Sequence, residues 1–195
     1  ALLDADPNLR YSAETGKFYQ LVIANVTWDT ANTAALGTNL EGVSGQLGTI
    51  RNAAEQELFT AWFGELNDEI WLGATDATVE GEWRWQENGS DADEFWRGDG
   101  NGYNLDDSFS NWYGSDPNGG SGIDVAKVYT ADGKWVDAGA GGTASYVVEW
   151  NADDVLDATQ AITYSIQSQS VAGAFEIDAS TGEIRVADGT LLDAD

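Results

Sequence analysis

The sequence predicts an α+β fold, and three observations predict it. Two cappable amphipathic segments lie near the start, short β-patterned runs follow, and a long polar stretch studded with aromatic residues separates those runs. Hydrophobic residues make up 42% of the 195 positions and include nine Trp, enough apolar mass for a packed core rather than a disordered chain.

The first eight residues are acidic and loop-like. Leu9-Arg10-Tyr11, the turn Glu14-Thr15-Gly16-Lys17 and the run Phe18-Tyr19-Gln20-Leu21-Val22-Ile23 predict a hairpin. Thr27 or Asp29 caps a helix over 30–40, with alanines and leucines on one side. Residues 45–50 are extended, and Asn52 then caps a second helix over Ala53–Phe63 with Leu58, Phe59, Trp62 and Phe63 as its apolar stripe. Ile70-Trp71-Leu72-Gly73 reads as a buried strand. Glu82-Trp83-Arg84-Trp85-Gln86 alternates as strands do, which puts Trp83 and Trp85 on one face, in the core.

Residues 88–123 are rich in Gly, Asp, Asn and Ser but carry Phe95, Trp96, Tyr103, Phe109, Trp112 and Tyr113. A loop this long in a compact domain is disordered or functional, and the interleaved aromatics favour an ordered, functional one. Residues 125–129, 134–136 and 146–150 supply closing strands, so the α+β domain runs over 9–151. After Asn151 the texture is all-β: 161–166, 174–178, a turn at 179–182, then 183–186. That stretch is too short to be stable alone. Leu2-Leu3-Asp4-Ala5-Asp6 recurs as Leu191-Leu192-Asp193-Ala194-Asp195, by chance in so acidic a chain or as a repeat boundary or pair of related β-edges.

Acidic residues number 34 against 8 basic, a net charge of −26. Nucleic acid and anionic membrane would be repelled, which excludes both as partners. The acids fall mostly in Gly/Asn/Ser-rich loops, where oxygens can converge on a hard cation; a solubilising surface for a salty environment is the other reading. With no Cys and no His there is no disulfide framework, no zinc site of ordinary type and no Cys–His or Ser–His machinery. In a secreted domain calcium can replace disulfides as the staple, because metal-binding energy becomes folding energy. No stretch approaches a membrane span, so no membrane insertion is expected. Ala1 opens neither a signal peptide nor a complete chain, so the sequence reads as part of a longer multidomain protein.

Trp71-Leu72-Gly73-Ala74-Thr75-Asp76, followed by Glu80-Gly81-Glu82-Trp83-Arg84-Trp85, resembles the central signature of C-type lectin-like domains. Phe109-Ser110-Asn111-Trp112 leading to Asp116-Pro117-Asn118 resembles the family's long-loop motif, whose usual triplet is Glu-Pro-Asn. Lys134-Trp135-Val136-Asp137 is similar to its Trp-Asn-Asp motif, and Tyr146-Val147-Val148-Glu149-Trp150 to its closing strand. Val125 and Val148 occupy places where many relatives have Cys. The resemblance covers residues 11–151 and implies a C-type lectin-like fold with two helices, small antiparallel sheets and a long calcium-binding loop, plus a C-terminal β-sandwich fragment.

It also implies Ca2+ as cofactor, held by Asp116, Asn118 and Asp137. The Asp116–Pro117 bond would be cis, turning both flanking side chains toward one point. Calcium takes six to eight oxygens at about 2.4 Å, and two neighbouring sugar hydroxyls would complete the shell while hydrogen-bonding the carboxylates and the Asn118 amide. Glu-Pro-Asn members favour mannose-, glucose- or fucose-type hydroxyl pairs; Asp116 keeps the acid-then-amide order but is one methylene shorter. Two positions depart from the pattern. Ile123 stands where binding members place a ligating Glu, and Val136 where they place Asn.

Asp76, Glu80 and Asp124 match an auxiliary calcium site; three carboxylates together repel unless a cation sits between them, and the expected role is ordering the long loop. Glu149 resembles a structural calcium ligand. Tyr113, with Trp96 and Tyr103, is a candidate for stacking on a sugar. Asp91, Asp93, Glu94, Asp99, Asn101, Asp106 and Asp107 hold another ion or, by preference, form a solvated loop.

Residues 152–195, alone or with 1–8, resemble part of a cadherin-like β-sandwich, either cut short or interrupted by the lectin module. Such repeats are spacers in large RTX-type bacterial adhesins. The expectation is therefore a calcium-dependent lectin module of an extracellular bacterial surface adhesin, active in cell adhesion or biofilm and binding glycans on cell surfaces or matrix. The alternative is the same fold used for protein binding or structure, for which Ile123 and Val136 argue. No acid sits in a recognised catalytic motif, so no enzyme is expected.

Overall fold

The computed structural model describes residues 2–159 and 165–192, which divide into a compact unit ending at Val155 and another beginning at Leu156. In the first, α1 (Leu2–Ala5) precedes the expected hairpin of β1 (Leu9–Ser12) and β2 (Lys17–Val26). Helix α2 (Trp28–Gly37) starts at Thr27, whose hydroxyl accepts from Thr30 N at 3.4 Å. It ends three residues before the predicted residue 40, because the chain turns there into β3 (Asn39–Leu40) and β4 (Val43–Ser44), with Gly42 at φ +92°. β5 (Gln46–Leu47) leads to α3 (Ala53–Phe63), capped as expected by Asn52 Oδ1, which accepts from Glu55 N at 2.9 Å.

The remaining strands of this unit are β6 (Glu69–Thr75), β7 (Glu82–Glu87), β8 (Ser90–Arg97), β9 (Tyr103–Asn104), β10 (Val125–Tyr129), β11 (Trp135–Ala138) and β12 (Ala144–Asn151). The main sheet runs β1-β2-β12-β6-β7-β8-β9, with β10 bridging β6 and β11. Only the short β12–β6 pairing is parallel among the described ladders. The sheet separates two apolar clusters. Trp71, Val148 and Trp150 point toward Trp28, Ala31 and Ala35 of α2. Ile70, Leu72, Val147, Trp83 and Trp85 join Phe59 and Phe63 of α3. The period-2 alternation along β6 and β12 thus feeds both cores, and Trp83 and Trp85 are buried as predicted.

Helix α1 stands where residues 1–8 were read as loop-like, β3–β4 and β9 stand where a helix end and a loop were read, and two larger departures follow. Ser90–Arg97 is a strand, not loop, because its acids find partners across the ladder. Glu94 takes Arg84 at 2.8 Å and Arg97 at 2.6 Å, Asp93 meets Arg51 at 3.4 Å, and Phe95 stacks on Trp85 with centroids 4.4 Å apart. Helix α4 (Ala152–Thr159) follows β12 where an all-β texture was expected. Asn151 Oδ1 accepts from Asp153 N at 2.9 Å, and Asp153 and Asp154 sit in the first turn, where acids suit the helix N-terminus.

In the second unit β13 (Phe175–Ile177) pairs with β14 (Ile184–Val186) around the predicted turn, where Asp178 Oδ1 accepts from Ser180 N at 2.8 Å and Thr181 N at 2.9 Å. Most of the strand expected at 161–166, and the end of the second Leu-Leu-Asp-Ala-Asp copy, lie outside the described residues. Among the described residues no helix is long and apolar enough to cross a membrane.

Candidate functional site

The segment joining β9 to β10 is anchored through its aromatic residues. Trp112 packs on Trp83, Trp135 and Phe95 at centroid distances of 4.9, 5.6 and 6.4 Å. Backbone bonds Trp135 N to Asn111 O (3.0 Å) and Tyr113 N to Trp135 O (2.8 Å) lay residues 111–113 along β11. That register carries residues 116–119 to Asp137, two positions beyond Trp135 on β11. The buried Pro117 follows a cis Asp116–Pro117 peptide.

Asp116, Asn118 and Asp137 come together. Asp137 Oδ2 accepts from Asn118 N at 2.9 Å and Gly119 N at 2.5 Å, and the Asn118 amide donates to Asp116 Oδ1. A Cβ on Gly119 would stand 2.4 Å from Ile123 Cβ and 2.8 Å from Asp137 Oδ2, so only glycine lets this turn close over the carboxylate. Burial, the charge of Asp137 and a hydrogen bond between the two acids raise the Asp116 pKa to about 6, against the Asn118 amide, which lowers it. Ile123 packs at this turn and is 38% exposed; it contributes no oxygen. Tyr113 is exposed three residues before Asp116, whose N–H donates to its carbonyl at 2.9 Å.

Asp76, at the end of β6, is 4% exposed. Its Oδ2 accepts from Gly81 N at 2.9 Å, while its buried Oδ1 has no partner. Its backbone N–H and the Thr75 hydroxyl both reach Asp124 O, at 3.2 and 2.6 Å, which brings Asp124 beside it. Burial and the charges of Glu80 and Asp124 raise the Asp76 pKa to about 6, against the Gly81 N–H. A cavity of about 380 Å3 is lined by Asp76, Glu80, Trp83, Asp99, Pro117 and Asp137 among others, so both carboxylate groups open into one space. Asp99 was read as a solvated acid. Its glycine-rich turn lies so close to the long loop that a Cβ on Gly100 would fall 1.8 Å from Ser115 O, and that run of glycines was its signal in the sequence.

Among the described residues no three Asp or Glu side chains converge into a metal cage of their own. The donor set nonetheless suits an oxygen-ligated cation. Among the described residues the buried Asp76 Oδ1 has no partner, Asp116 and Asp137 lie against each other, and the Asn118 side-chain amide stands beside them.

The Asp76 shift carries a prediction. Its folded pKa lies above the unfolded value of about 3.9, so the folded state binds the extra proton, and without divalent cations stability should fall as pH rises from about 4 to 6. The contribution is on the order of 2–3 kcal/mol, of the same sign as general acid–acid repulsion. Urea midpoints in chelator should drop across that interval, and calcium should flatten the drop. A chelated midpoint that is constant or rises would refute it.

Two candidates belong elsewhere. Trp96 donates its indole N–H to Gly98 O at 3.1 Å and packs on Trp112 at 6.4 Å; it is a loop anchor, not a free stacking surface. Tyr103 remains exposed. Glu149, expected to resemble a structural calcium ligand, is taken up here by protein partners. Lys17 Nζ lies 3.1 Å from it and 2.8 Å from Glu55, and Thr49 N, Thr49 Oγ1 and Gln46 Nε2 fill the rest of its carboxylate at 2.9–3.1 Å. Burial opposes the Lys17 charge, but Glu149 and Glu55 outweigh it and hold its pKa above the usual value.

The chain is 32% identical over 143 residues to halomucin of Haloquadratum walsbyi, a match that spans 73% of this chain but 2% of that protein. The cow CD23 carbohydrate-recognition domain, solved in the presence of a GlcNAc2Man3 oligosaccharide, superposes with a TM-score of 0.55 at 24% identity, covering 74% of this chain and 94% of that one. A calcium-independent type II antifreeze protein superposes with a TM-score of 0.56 at 16% identity, covering 74% and 92%. At these identities the superpositions speak for the fold, which is the expected α+β C-type lectin-like one. The family model described as the lectin C-type domain matches residues 25–148, well over half the chain, and the chain belongs to that family.

Proposed function

We propose that the chain is a calcium-dependent carbohydrate-binding module that takes sugars with mannose-, glucose- or fucose-type neighbouring hydroxyls at Asp116, Asn118 and Asp137. One observation carries this reading. Two carboxylates lie against each other with an Asn amide beside them, an arrangement that suits a divalent cation better than it suits two bare acids. A bound calcium ion would anchor two hydroxyl lone pairs. The chain's own groups orient the sugar: Asp116 and Asp137 accept hydroxyl protons, the Asn118 amide donates, and Tyr113 offers a ring face. Asp76, with Glu80 and Asp124, holds a second cation that orders the long loop. CD23 solved with a mannose-containing oligosaccharide supports the sugar class.

The setting we propose is a secreted surface adhesin that binds glycans on cells or matrix. Residues 152–195, alone or with 1–8, would be part of a cadherin-like sandwich in a longer chain. A single site would bind in the range of about 1 mM, so adhesion would depend on many copies.

A second reading is a module of the same fold used for protein contact or structure. It is favoured by Ile123, which packs on Gly119 where a ligating acid would stand, and by the calcium independence of the antifreeze neighbour. Glycan binding with and without EDTA, run beside thermal melts, separates the two. Binding lost in EDTA is expected. Calcium at 100 times its Kd should raise the melting temperature by about 5–10 °C. Melts unchanged by EDTA, with no glycan bound, would favour the second reading.

A further inference from the structure

Beyond Asp116 lies an exposed aromatic corner that the site as described does not use in full. Tyr113 is 55% exposed, and Tyr129, at the end of β10, is 38% exposed. Their rings meet edge to face, 6.4 Å apart at 66°, and present two differently tilted faces to solvent. Both are held in place. Tyr113 is pinned by its N–H to Trp135 O at 2.8 Å. The Tyr129 hydroxyl donates to Glu69, and Lys127 Nζ grips the same carboxylate at 2.8 Å. The Tyr113 carbonyl accepts from Asp116 N at 2.9 Å, so the corner adjoins the turn that carries Asp116 and Asn118.

We propose that Tyr113 and Tyr129, with Glu69 at their rim, form a subsite for a second sugar, so that the module selects a neutral oligosaccharide over a monosaccharide. The proposal rests on Asp116, Asn118 and Asp137 being the primary site. A pyranose ring has an apolar C–H face and a hydroxyl edge. The tyrosine faces suit the first, and the acceptor oxygens of Glu69 suit the second. Pre-positioned rings lose little conformational freedom on binding. Neutrality follows from charge. With calcium on Asp116 and Asp137, Glu69 and the net charge of −26 set the field at the corner; of the two lysines beside it, Lys127 is engaged by Glu69 at 2.8 Å and Lys134 donates to Asn111 Oδ1 at 2.6 Å, so a sialic or uronic acid unit would be disfavoured.

Calorimetric titration in calcium with methyl α-mannoside and with the α-linked mannobioses tests this on wild type, Tyr129→Ala and Tyr129→Phe. The wild type should bind the best mannobiose about fivefold more tightly than the monosaccharide, the factor expected from covering about 40 Å2 of apolar surface. In Tyr129→Ala the ratio should fall to about one; in Tyr129→Phe, which keeps the ring, most of it should remain. A ratio of one in the wild type, or one unaffected by Tyr129→Ala, overturns the subsite and leaves the primary site standing. A sialylated disaccharide bound as tightly as mannobiose overturns the neutral class. If wild type binds neither mannoside, the primary site fails and the subsite falls with it.

Discussion

Asp137→Ala is expected to lower calcium-dependent sugar affinity by about 100-fold or more and to weaken calcium binding with it. The side chain has two duties. Its Oδ2 accepts from Asn118 N and Gly119 N, which shapes the turn, and its charge faces Asp116, which calls for the cation. Each hydrogen bond to a charged group is worth about 1.5–3 kcal/mol, so losing both accounts for two decades before any lost metal contact is counted. Asn118→Ala should remove sugar binding with little loss of fold, because its side chain is exposed and meets only Asp116. The pair is informative together. Calcium affinity by titration should collapse in Asp137→Ala and fall less in Asn118→Ala. If Asp137→Ala keeps wild-type calcium and sugar affinity, the cation is held elsewhere and the site assignment is wrong.

Glu149→Ala should cost about 3–5 kcal/mol of stability, and excess calcium should not restore it. The carboxylate is 1% exposed and satisfies Lys17, Thr49 and Gln46 at once. Removing it leaves the half-buried Lys17 ammonium with Glu55 and the Thr49 hydroxyl, and leaves Thr49 N without its acceptor. The result distinguishes an internal ion pair from a metal ligand. A loss seen in chelator but absent in saturating calcium would return Glu149 to the metal. Urea unfolding of the variant at both calcium levels gives the answer, and Glu149→Gln, which keeps the shape without the charge, should fall in between.

Both predictions concern places where local reading and the folded chain part company. Asp116, Asn118 and Asp137 were legible because the Asp-Pro-Asn triplet and the Trp-x-Asp strand are short motifs, and each carries its side chains within a few residues of an anchor in the chain. The ion pair of Glu149 was not legible because its partner lies 132 positions away, and nothing near Trp150 in the sequence points to Lys17. Ser90–Arg97 was misread for a related reason. Three acids in eight residues look like a solvated loop until Arg84, Arg97 and Arg51 are brought alongside. Tyr129 gave no signal, because the end of a strand becomes a binding surface only when another segment supplies Tyr113 beside it.

The sequence by itself determined the cap at Asn52, a first helix starting from Thr27 or Asp29, the first hairpin, the inward face shared by Trp83 and Trp85 and the order of the motifs along the chain. Each depends on bonds or periodicities within a few residues, where backbone geometry leaves little choice. Only the tertiary structure decided which acids are neutralised by arginine or lysine and which remain to want a cation. Charges interact through space, and in a chain with 34 acids and 8 bases the fold alone assigns the scarce positive partners. The carboxylates around Asp76, Asp116 and Asp137 meet no lysine or arginine among the described ion pairs, and they are the ones to which our proposed function assigns the cation.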